Sequence, residues 1–203
     1  MRYLQDKPLP DQIVYICRLM FKRKLTDIAG GNVSARLGDQ IFITPKYAGS
    51  KWHWHLEPED IITGPINSDD LVENPSFSRE GISHISVYRA FPEVKAIIHS
   101  HPRDVLPFCS LEMPIQPVLR ATQEYGVLEF IDQTPKYSQE QADNIVDHLK
   151  RKEELMKGAA AAVLMPQHGI FIAGKNLWEV VDVLERINTN AWCLIAGKIL
   201  LDD

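Results

Sequence analysis

Two histidines, His99 and His101, stand one residue apart at the end of a short apolar run. Side chains two apart on a strand point to the same face of a sheet, so both imidazoles would converge at the end of a buried strand. Two polar ring nitrogens do not stabilise an apolar core, whereas a divalent metal ion binds them directly. By themselves, the two histidines are explained equally well as hydrogen-bonded side chains on the surface.

A third histidine, His168, also follows an apolar run and lies between Gln167 and Gly169. The glycine permits a close approach of the backbone, and strand ends in one sheet can meet in space. Three histidines without a cysteine are typical of a catalytic zinc site that keeps its fourth coordination position open. The sequence therefore predicts that His99, His101 and His168 bind Zn²⁺ or another divalent metal ion.

One glutamate, Glu80, is the candidate general acid or base. It lies one residue into a predicted helix, after Ser78 and Arg79. A glutamate in a first helical turn also complements the helix dipole without any catalytic function. From its position alone, this structural role is the favoured interpretation.

Two further segments carry weaker signals. The backbone N–H groups of the turn Gly30-Gly31-Asn32 could cradle an anion, although the turn could also simply connect a helix to a strand. The WHWH sequence at 52–55 alternates tryptophan with histidine and so mimics a metal site. Its flanking loop and Lys51 favour an aromatic surface or interface segment instead.

These residues must be positioned by elements that the apolar periodicity predicts. The predicted helices are 11–24, 79–91, 138–149 and a long final helix that starts at 176, the last two with capping-box residues at their starts. The predicted strands are 33–36, 40–44, 94–99, 161–165 and 169–173. Residues 45–60 are predicted to be a long loop, and 103–137 loop and short strand. The hairpin-like strand pairs favour an antiparallel or mixed sheet over a doubly wound parallel one.

Composition excludes several function classes. The 203 residues contain 22 Lys and Arg against 27 Asp and Glu, a net charge of −5, which argues against a basic protein that binds nucleic acid or an anionic membrane. No apolar run approaches a membrane span, and the start shows no signal-peptide core. The three distant cysteines, Cys17, Cys109 and Cys193, form no disulfide framework, so a cytoplasmic location is expected.

Taken together, the motifs resemble those of the class II aldolase/adducin family. They follow in the family's order and spacing from about residue 10 to 200. The matching segments are Gly31-Asn32-Val33-Ser34, Ile43-Thr44-Pro45, Leu56-x-Pro58-Glu59-Asp60-Ile61, Ser78-Arg79-Glu80 with His84 and Tyr88, Pro92-Glu93-Val94 before His99-x-His101, and Gln167-His168-Gly169. Each segment is weak alone, but the combination is highly specific.

The resemblance implies a three-layer α/β/α fold with a central, mainly antiparallel sheet, formed by one domain over residues 1–203. It implies a homotetramer with active sites between subunits, a metal held by His99, His101 and His168, and a carboxylate, Glu80, that handles a proton. Members such as L-fuculose-1-phosphate aldolases cleave a ketose phosphate through a metal-stabilised enediolate, which makes a zinc-dependent aldolase of carbohydrate metabolism the first expectation. Other members are 4-epimerases, dehydratases, decarboxylases of sugar-acid phosphates, or non-catalytic adducin-like modules.

Departures from the family pattern affect the expected anion site. In the family's aldolases a Thr-Gly and a Ser-Ser pair help to hold phosphate, whereas this chain has Lys46-Tyr47 and Ser78-Arg79. We expect Gly31, Asn32 and Ser78 to surround the acidic group of a small sugar phosphate or sugar acid. Arg79 should supply much of the binding, because a guanidinium offers a charged, planar fork.

The family's catalytic tyrosine has no clear counterpart in this chain. Val118 falls near its place, and Tyr125 and Tyr137 are the alternatives.

Overall fold

The computed structural model describes residues 2–68 and 70–202. Its centre is a six-stranded sheet in the order β3-β2-β1-β4-β6-β5, in which every neighbouring pair is antiparallel. The strands are β1 (Asn32–Leu37), β2 (Gln40–Ile43), β3 (Ile62–Pro65), β4 (Ala96–Ser100), β5 (Ala160–Met165) and β6 (Gly169–Gly174). The central antiparallel sheet is therefore confirmed.

Eight helices accompany the strands in the described part of the chain. They are α1 (Arg2–Gln5), α2 (Leu9–Lys22), α3 (Asp70–Glu73), α4 (Gly81–Ala90), α5 (Leu106–Leu111), α6 (Gln139–Lys150), α7 (Glu153–Gly158) and α8 (Leu177–Asp202). Two 3₁₀ turns cover Pro58–Asp60 and Arg120–Tyr125. None of the described helices is both long and apolar enough to cross a bilayer.

The helices form a layer on each face of the sheet, so the chain has the expected three layers. One core joins the sheet to α2, α5 and α8, and the other joins it to α3, α4, α6 and α7. Successive strand residues point to opposite faces, as Ile97 and Ile98 of β4 show by entering different cores. All five residues of β4 are buried, so the strand that leads to His99 lies in the middle of the molecule.

Side chains fix two helix starts as the sequence predicts. Ser138 Oγ accepts a hydrogen bond from the Gln141 amide at 3.0 Å, at the start of α6. Asn176 Oδ1 accepts from the amides of Trp178 and Glu179, both at 3.0 Å, at the start of α8. These bonds satisfy amides that have no partner inside the helix.

The WHWH segment differs from its expected form. Residues 50–54 form consecutive turns, and His53 and Trp54 have φ values of 47° and 63°. Their side chains therefore do not alternate between two faces as they would in a strand. Trp54 is 1% exposed and its Nε1 donates to the Asp27 carbonyl at 2.7 Å. The prediction of an aromatic surface segment is thus wrong for Trp54, although Trp52 is 41% exposed.

Other differences concern element boundaries. The predicted helix 79–91 begins at Gly81, so Glu80 immediately precedes α4. The proline-rich segment 103–137 contains α5 and a 3₁₀ turn in addition to isolated bridges. Strand β3 was not predicted, because Thr63, Gly64 and Pro65 carry little apolar signal. All three cysteines are free, as their spacing predicts.

Candidate metal centre and anion site

The three predicted histidine ligands lie side by side. His99 is in β4, His101 follows that strand, and His168 lies in the turn between β5 and β6. Because β4 pairs with β6, that turn lies next to the end of β4. The ring centroids are 5.1 Å apart for His99 and His101, 4.6 Å for His99 and His168, and 5.1 Å for His101 and His168.

Two glycines make room for this cluster. A Cβ atom at Gly169 would overlap the Ser100 carbonyl oxygen and come within 2.9 Å of His101 Cδ2. A Cβ atom at Gly30 would lie 2.7 Å from His101 Cε1. The close backbone approach predicted for Gly169 is therefore observed, and it sets the distance between β4 and the turn that carries His168.

Hydrogen bonds fix the tautomers of two rings. His99 Nδ1 lies 3.1 Å from the Ile170 carbonyl oxygen, and His101 Nδ1 lies 3.1 Å from Asp27 Oδ1. Both oxygens are acceptors at neutral pH, so each Nδ1 donates a proton and each Nε2 keeps its lone pair. Both Nε2 atoms are buried and have no hydrogen-bond partner. One potential ligand atom from each of the three histidines lies within 4.8 Å of the others, so the residues fit a divalent metal ion.

Two of the three histidines, His99 and His168, are held in the neutral form that binds metals. Burial lowers the pKa of His99 well below its usual range, with a further contribution from His168. Burial and the neighbouring His101, Lys136 and Arg79 lower the pKa of His168 to about 4. Near neutral pH, therefore, no proton competes with a metal ion for these two rings.

Glu80 faces the histidine cluster rather than the helix that it precedes. Its Oε2 accepts a hydrogen bond from Gln141 Nε2 at 2.7 Å, and its Oε1 lies 3.9 Å from His168 Nε2. The side chain makes no capping bond to α4. Burial raises the pKa of Glu80 to about 7, despite the opposing effects of the Gln141 bond and the Arg79 charge. A carboxyl group with this pKa can both hold and release a proton near neutral pH.

The expected anion-site residues line the same cavity as the histidines and Glu80. This cavity is bordered by Gly31, Asn32, Ser78 and Arg79. Gly31 has a φ of 107°, and a Cβ atom there would lie 2.9 Å from Thr26 Oγ1. Within residues 2–68 and 70–202, the backbone amides of Gly31 and Arg79 have no hydrogen-bond partner. The cavity therefore offers free N–H donors next to a guanidinium, which is the chemistry of an anion site.

A buried network holds Asn32 in place behind the cavity. Its Oδ1 accepts a hydrogen bond from His84 Nε2. His84 Nδ1 lies 2.7 Å from Ser34 Oγ, which in turn lies 2.8 Å from the Tyr88 hydroxyl. The family resemblance includes His84 and Tyr88 but gives them no role, and the structure shows that they support Asn32.

One of the tyrosine candidates adjoins the histidine cluster. The Tyr137 ring lies 6.5 Å from the His168 ring and lines the cavity. Tyr125 instead borders a separate small cavity near Asn190, and Val118 borders an apolar groove along α8. The described residues contain no second group of three metal ligands, so His53 and His55 do not form one.

Three residues near the site were not singled out by sequence reasoning. Asp27 orients His101 across 74 residues of chain, and Gln141 binds Glu80 across 61 residues. Gln141 carried a local signal, but that signal concerned the start of α6. Tyr47, at the rim of the cavity, was noted only as a departure from the family pattern.

The comparisons with known proteins agree with this architecture. Residues 11–195 match the family model described as the class II aldolase and adducin N-terminal domain. An L-fuculose phosphate aldolase of Methanococcus maripaludis is 27% identical over 180 residues, which cover 87% of this chain and 92% of that protein. A 3-oxo-tetronate 4-phosphate decarboxylase of Haemophilus influenzae is 24% identical over 191 residues, which cover 93% of this chain and 87% of that protein.

Structural similarity extends over the same region. The crystal structure of L-fuculose-1-phosphate aldolase from Thermus thermophilus matches with a TM-score of 0.79 at 20% identity and covers 96% of both chains. At that identity the match shows the fold. The family model, in contrast, spans nearly the whole chain at the level of sequence. The chain therefore belongs to the class II aldolase and adducin N-terminal domain family.

Proposed function

We propose that this protein is a metal-dependent carbon–carbon lyase that cleaves a ketose phosphate, as L-fuculose phosphate aldolases do. The observation that carries this proposal is the pair of buried, unpartnered Nε2 atoms of His99 and His101, next to His168 and Glu80. Buried polar atoms without partners are costly in a folded protein. A site that keeps such groups together is built for a ligand that the chain does not itself supply.

The metal ion that we propose is Zn²⁺, because three imidazole nitrogens without a thiolate are typical of catalytic zinc sites with an open position. Other divalent metal ions accept the same ligands. A bound cation of this kind supplies Lewis-acid chemistry, which withdraws electron density from a substrate carbonyl oxygen and from a neighbouring hydroxyl. Asp27 supports the site through its hydrogen bond to His101, which keeps the Nε2 lone pair available.

Glu80 is proposed as the catalytic acid and base. As the carbon–carbon bond breaks, the hydroxyl group that becomes the aldehyde gives up its proton, which ionised Glu80 accepts; the electron pair left on the carbon next to the carbonyl then takes a proton back from Glu80. Glu80 Oε1 is unpartnered and lies on the histidine side of the carboxyl group, whereas Oε2 is held by Gln141. We assign Oε1 as the atom that donates this proton, and Gln141 as the residue that fixes the orientation of the carboxyl group.

The phosphate is proposed to bind at Gly31, Asn32, Ser78 and Arg79. The free backbone amides of Gly31 and Arg79 can donate hydrogen bonds to its oxygens, and Arg79 adds a positive charge. Asn32 is 3% exposed and Ser78 is 8% exposed, so these two side chains form the inner wall of the subsite.

The proposed cleavage is tested by a screen in which the metal-loaded protein is incubated with L-fuculose 1-phosphate, other phosphorylated ketoses and phosphorylated 3-oxo acids. Formation of an aldehyde and a three-carbon ketone phosphate supports the lyase. Release of carbon dioxide, loss of water or a change of configuration alone would instead assign the decarboxylase, dehydratase or epimerase reaction. Absence of bound metal in the purified protein would favour a non-catalytic, adducin-like binding module.

We also propose that the protein is a homotetramer. A wide apolar groove lies between α5 and the last turns of α8, where Leu111 is 69% exposed, Ile199 61% and Leu201 87%. Exposed apolar surface of this extent is typical of subunit contacts. Trp54 cannot contribute, because it is buried in its own subunit. The cytoplasmic location and a role in carbohydrate metabolism stay predictions.

A further inference from the structure

Positive charge surrounds Tyr47 at the outer edge of the cavity, where Lys46, Tyr47 and Arg79 border the cavity and Lys51 lies beside Tyr47 outside the lining. Lys46 Nζ lies 5.2 Å from the centroid of the Tyr47 ring, Lys51 Nζ lies 4.7 Å from it, and Arg79 Cζ lies 5.5 Å from it. We call these four residues the cationic rim. Tyr47, Lys51 and Arg79 are exposed and Lys46 is half-buried, so the rim lies outside the buried inner wall formed by Asn32 and Ser78.

The position of Arg79 is set from two sides. Its guanidinium carbon lies 4.6 Å from the centroid of Tyr137 as well as 5.5 Å from that of Tyr47. Both tyrosines have left-handed backbone conformations, with φ values of 68° and 65°. That conformation is unfavourable for a bulky residue and is found mainly at functional sites. The two tyrosines that flank Arg79 at the mouth of the cavity therefore both have strained backbone conformations.

The charges of the rim are not neutralised by the protein. In the part of the chain that the structure describes, Lys46, Lys51 and Arg79 form no ion pair. Of the acidic side chains at the site, Asp27 hydrogen-bonds to His101 and Glu80 to Gln141, and the Arg79 charge acts on Glu80 without an ion-pair contact. Interaction with the face of a neutral ring does not remove a positive charge.

These positive charges exceed what one phosphate needs. A phosphate monoester carries at most two negative charges near neutral pH, and the inner subsite already offers it Arg79 and free backbone amides. Lys46 and Lys51 remain, and Lys46 borders the cavity itself. The two charges of one phosphate offset at most Arg79 and one lysine, so a substrate with one phosphate group leaves at least one rim lysine without a counter-charge from the substrate.

We propose that the substrate carries two anionic groups, and that Lys46 and Lys51 bind the second one, with Arg79 between the two groups. The substrate class is then a phosphorylated sugar acid or a sugar bisphosphate, because a carboxylate and a phosphate present the same kind of oxygen acceptors to a lysine. This inference rests on the proposed function, since it assumes that the first anion binds next to the metal centre.

The test compares ligands that differ only in the second group. Glycerol 3-phosphate carries one anionic group, 3-phosphoglycerate has a carboxylate in place of its hydroxymethyl group, and glycerol 1,3-bisphosphate has a second phosphate there. Their dissociation constants are measured by calorimetry on the zinc-loaded protein and on the double variant Lys46→Met/Lys51→Met. We expect the wild-type protein to bind at least one of the two ligands with a second anionic group about tenfold more tightly than glycerol 3-phosphate, and the variant to lose that preference.

The control is a double variant with the same change of net charge far from the cavity, Lys22→Met/Lys175→Met, which should keep the preference. Metal chelation by the ligands is common to wild-type and variant proteins, so the difference between them isolates the rim. Equal affinity for ligands with one and with two anionic groups, or a preference that survives loss of both rim lysines, would overturn the inference. The binding of zinc and of glycerol 3-phosphate tests the proposed function separately.

The ligand that binds more tightly identifies the second anionic group of the substrate as a carboxylate or a phosphate. Tighter binding of 3-phosphoglycerate assigns a sugar-acid phosphate, and tighter binding of the bisphosphate assigns a sugar bisphosphate. Failure of all three ligands to bind would contradict both the rim subsite and the inner anion subsite.

Discussion

Glu80 Oε1 and His168 Nε2 lie 3.9 Å apart at the floor of one cavity, although 87 residues lie between them in the sequence. This distance is longer than a hydrogen bond, so the carboxylate faces the imidazole without binding it. The pair defines a small space in which a substrate atom would meet both a metal ligand and a proton donor. Each of the first predictions below addresses one side of that space.

Single substitution of His99, His101 or His168 by alanine should lower the amount of bound zinc and abolish turnover, because each removes one of three ligands. Metal content is measured by mass spectrometry on purified protein. The variants His53→Ala and His55→Ala serve as controls and should keep the metal. Stoichiometric zinc in a triple variant of the cluster would show that the metal site lies elsewhere.

The Glu80→Gln variant should fold, bind zinc and lose about 10²- to 10⁴-fold in turnover, because an amide can neither donate nor accept the proton in question. Single-turnover kinetics and a thermal melt separate chemistry from folding. A variant that melts earlier but keeps its rate per folded molecule would assign Glu80 a structural role only.

Arg79→Ala should raise KM for the anionic substrate about tenfold or more, because a charge-assisted hydrogen bond contributes roughly 1.5–3 kcal/mol. The same variant should bind an uncharged analogue of that substrate nearly as well as the wild-type protein does. Equal losses for the two compounds would contradict the anion role.

His84 should make the folded state less stable in acid. Complete burial lowers its pKa from 6.5 to about 3, so below pH 6.5 the unfolded chain binds a proton that the folded chain excludes. The stabilisation is therefore fully present above pH 6.5 and is lost as the pH falls towards 3, at up to about 1.4 kcal/mol per pH unit. Urea unfolding of the wild-type protein and of His84→Gln between pH 5 and 7 measures the difference in slope. Parallel slopes would count against this assignment.

The double variant Leu111→Glu/Ile199→Glu should break the oligomer, because it places charges in the apolar groove next to α8. The variant Val72→Glu, at a position 48% exposed outside that groove, provides the matched control. Light scattering coupled to gel filtration reports the mass of each. A fully active wild-type monomer would exclude the proposed tetramer.

The sequence predicts the centre of this molecule better than its periphery. Strands β4, β5 and β6 are continuous apolar runs that the sequence shows directly. Because these strands pair side by side, the residues that follow β4 and β5 lie close together. The segment 103–137 lacks such periodicity, and the six-residue helix α5 contains a proline at its second position. The WHWH interpretation failed because left-handed backbone at His53 and Trp54 cannot be read from residue types that rarely adopt it.

The residues of the candidate site also differ in how far the sequence predicts them. The spacing of His99, His101 and His168 selects them from the sequence, whereas Glu80 is selected only through the family resemblance. Residues that orient them cannot be selected in either way, because Asp27 and Gln141 are ordinary polar side chains whose partners lie 74 and 61 positions away. Only the three-dimensional structure brings such residues together.

The unpartnered nitrogens of His99 and His101 and the unpartnered oxygen of Glu80 have a thermodynamic consequence. Each buried polar atom of this kind costs about 1–3 kcal/mol in the folded state. These groups reduce the stability of the ligand-free chain at the end of β4, so apolar substitutions there should stabilise the fold while they remove the site. Occupancy by a metal ion removes this weakness, so the melting temperature should rise with the free metal concentration and should report the affinity of the site without any substrate.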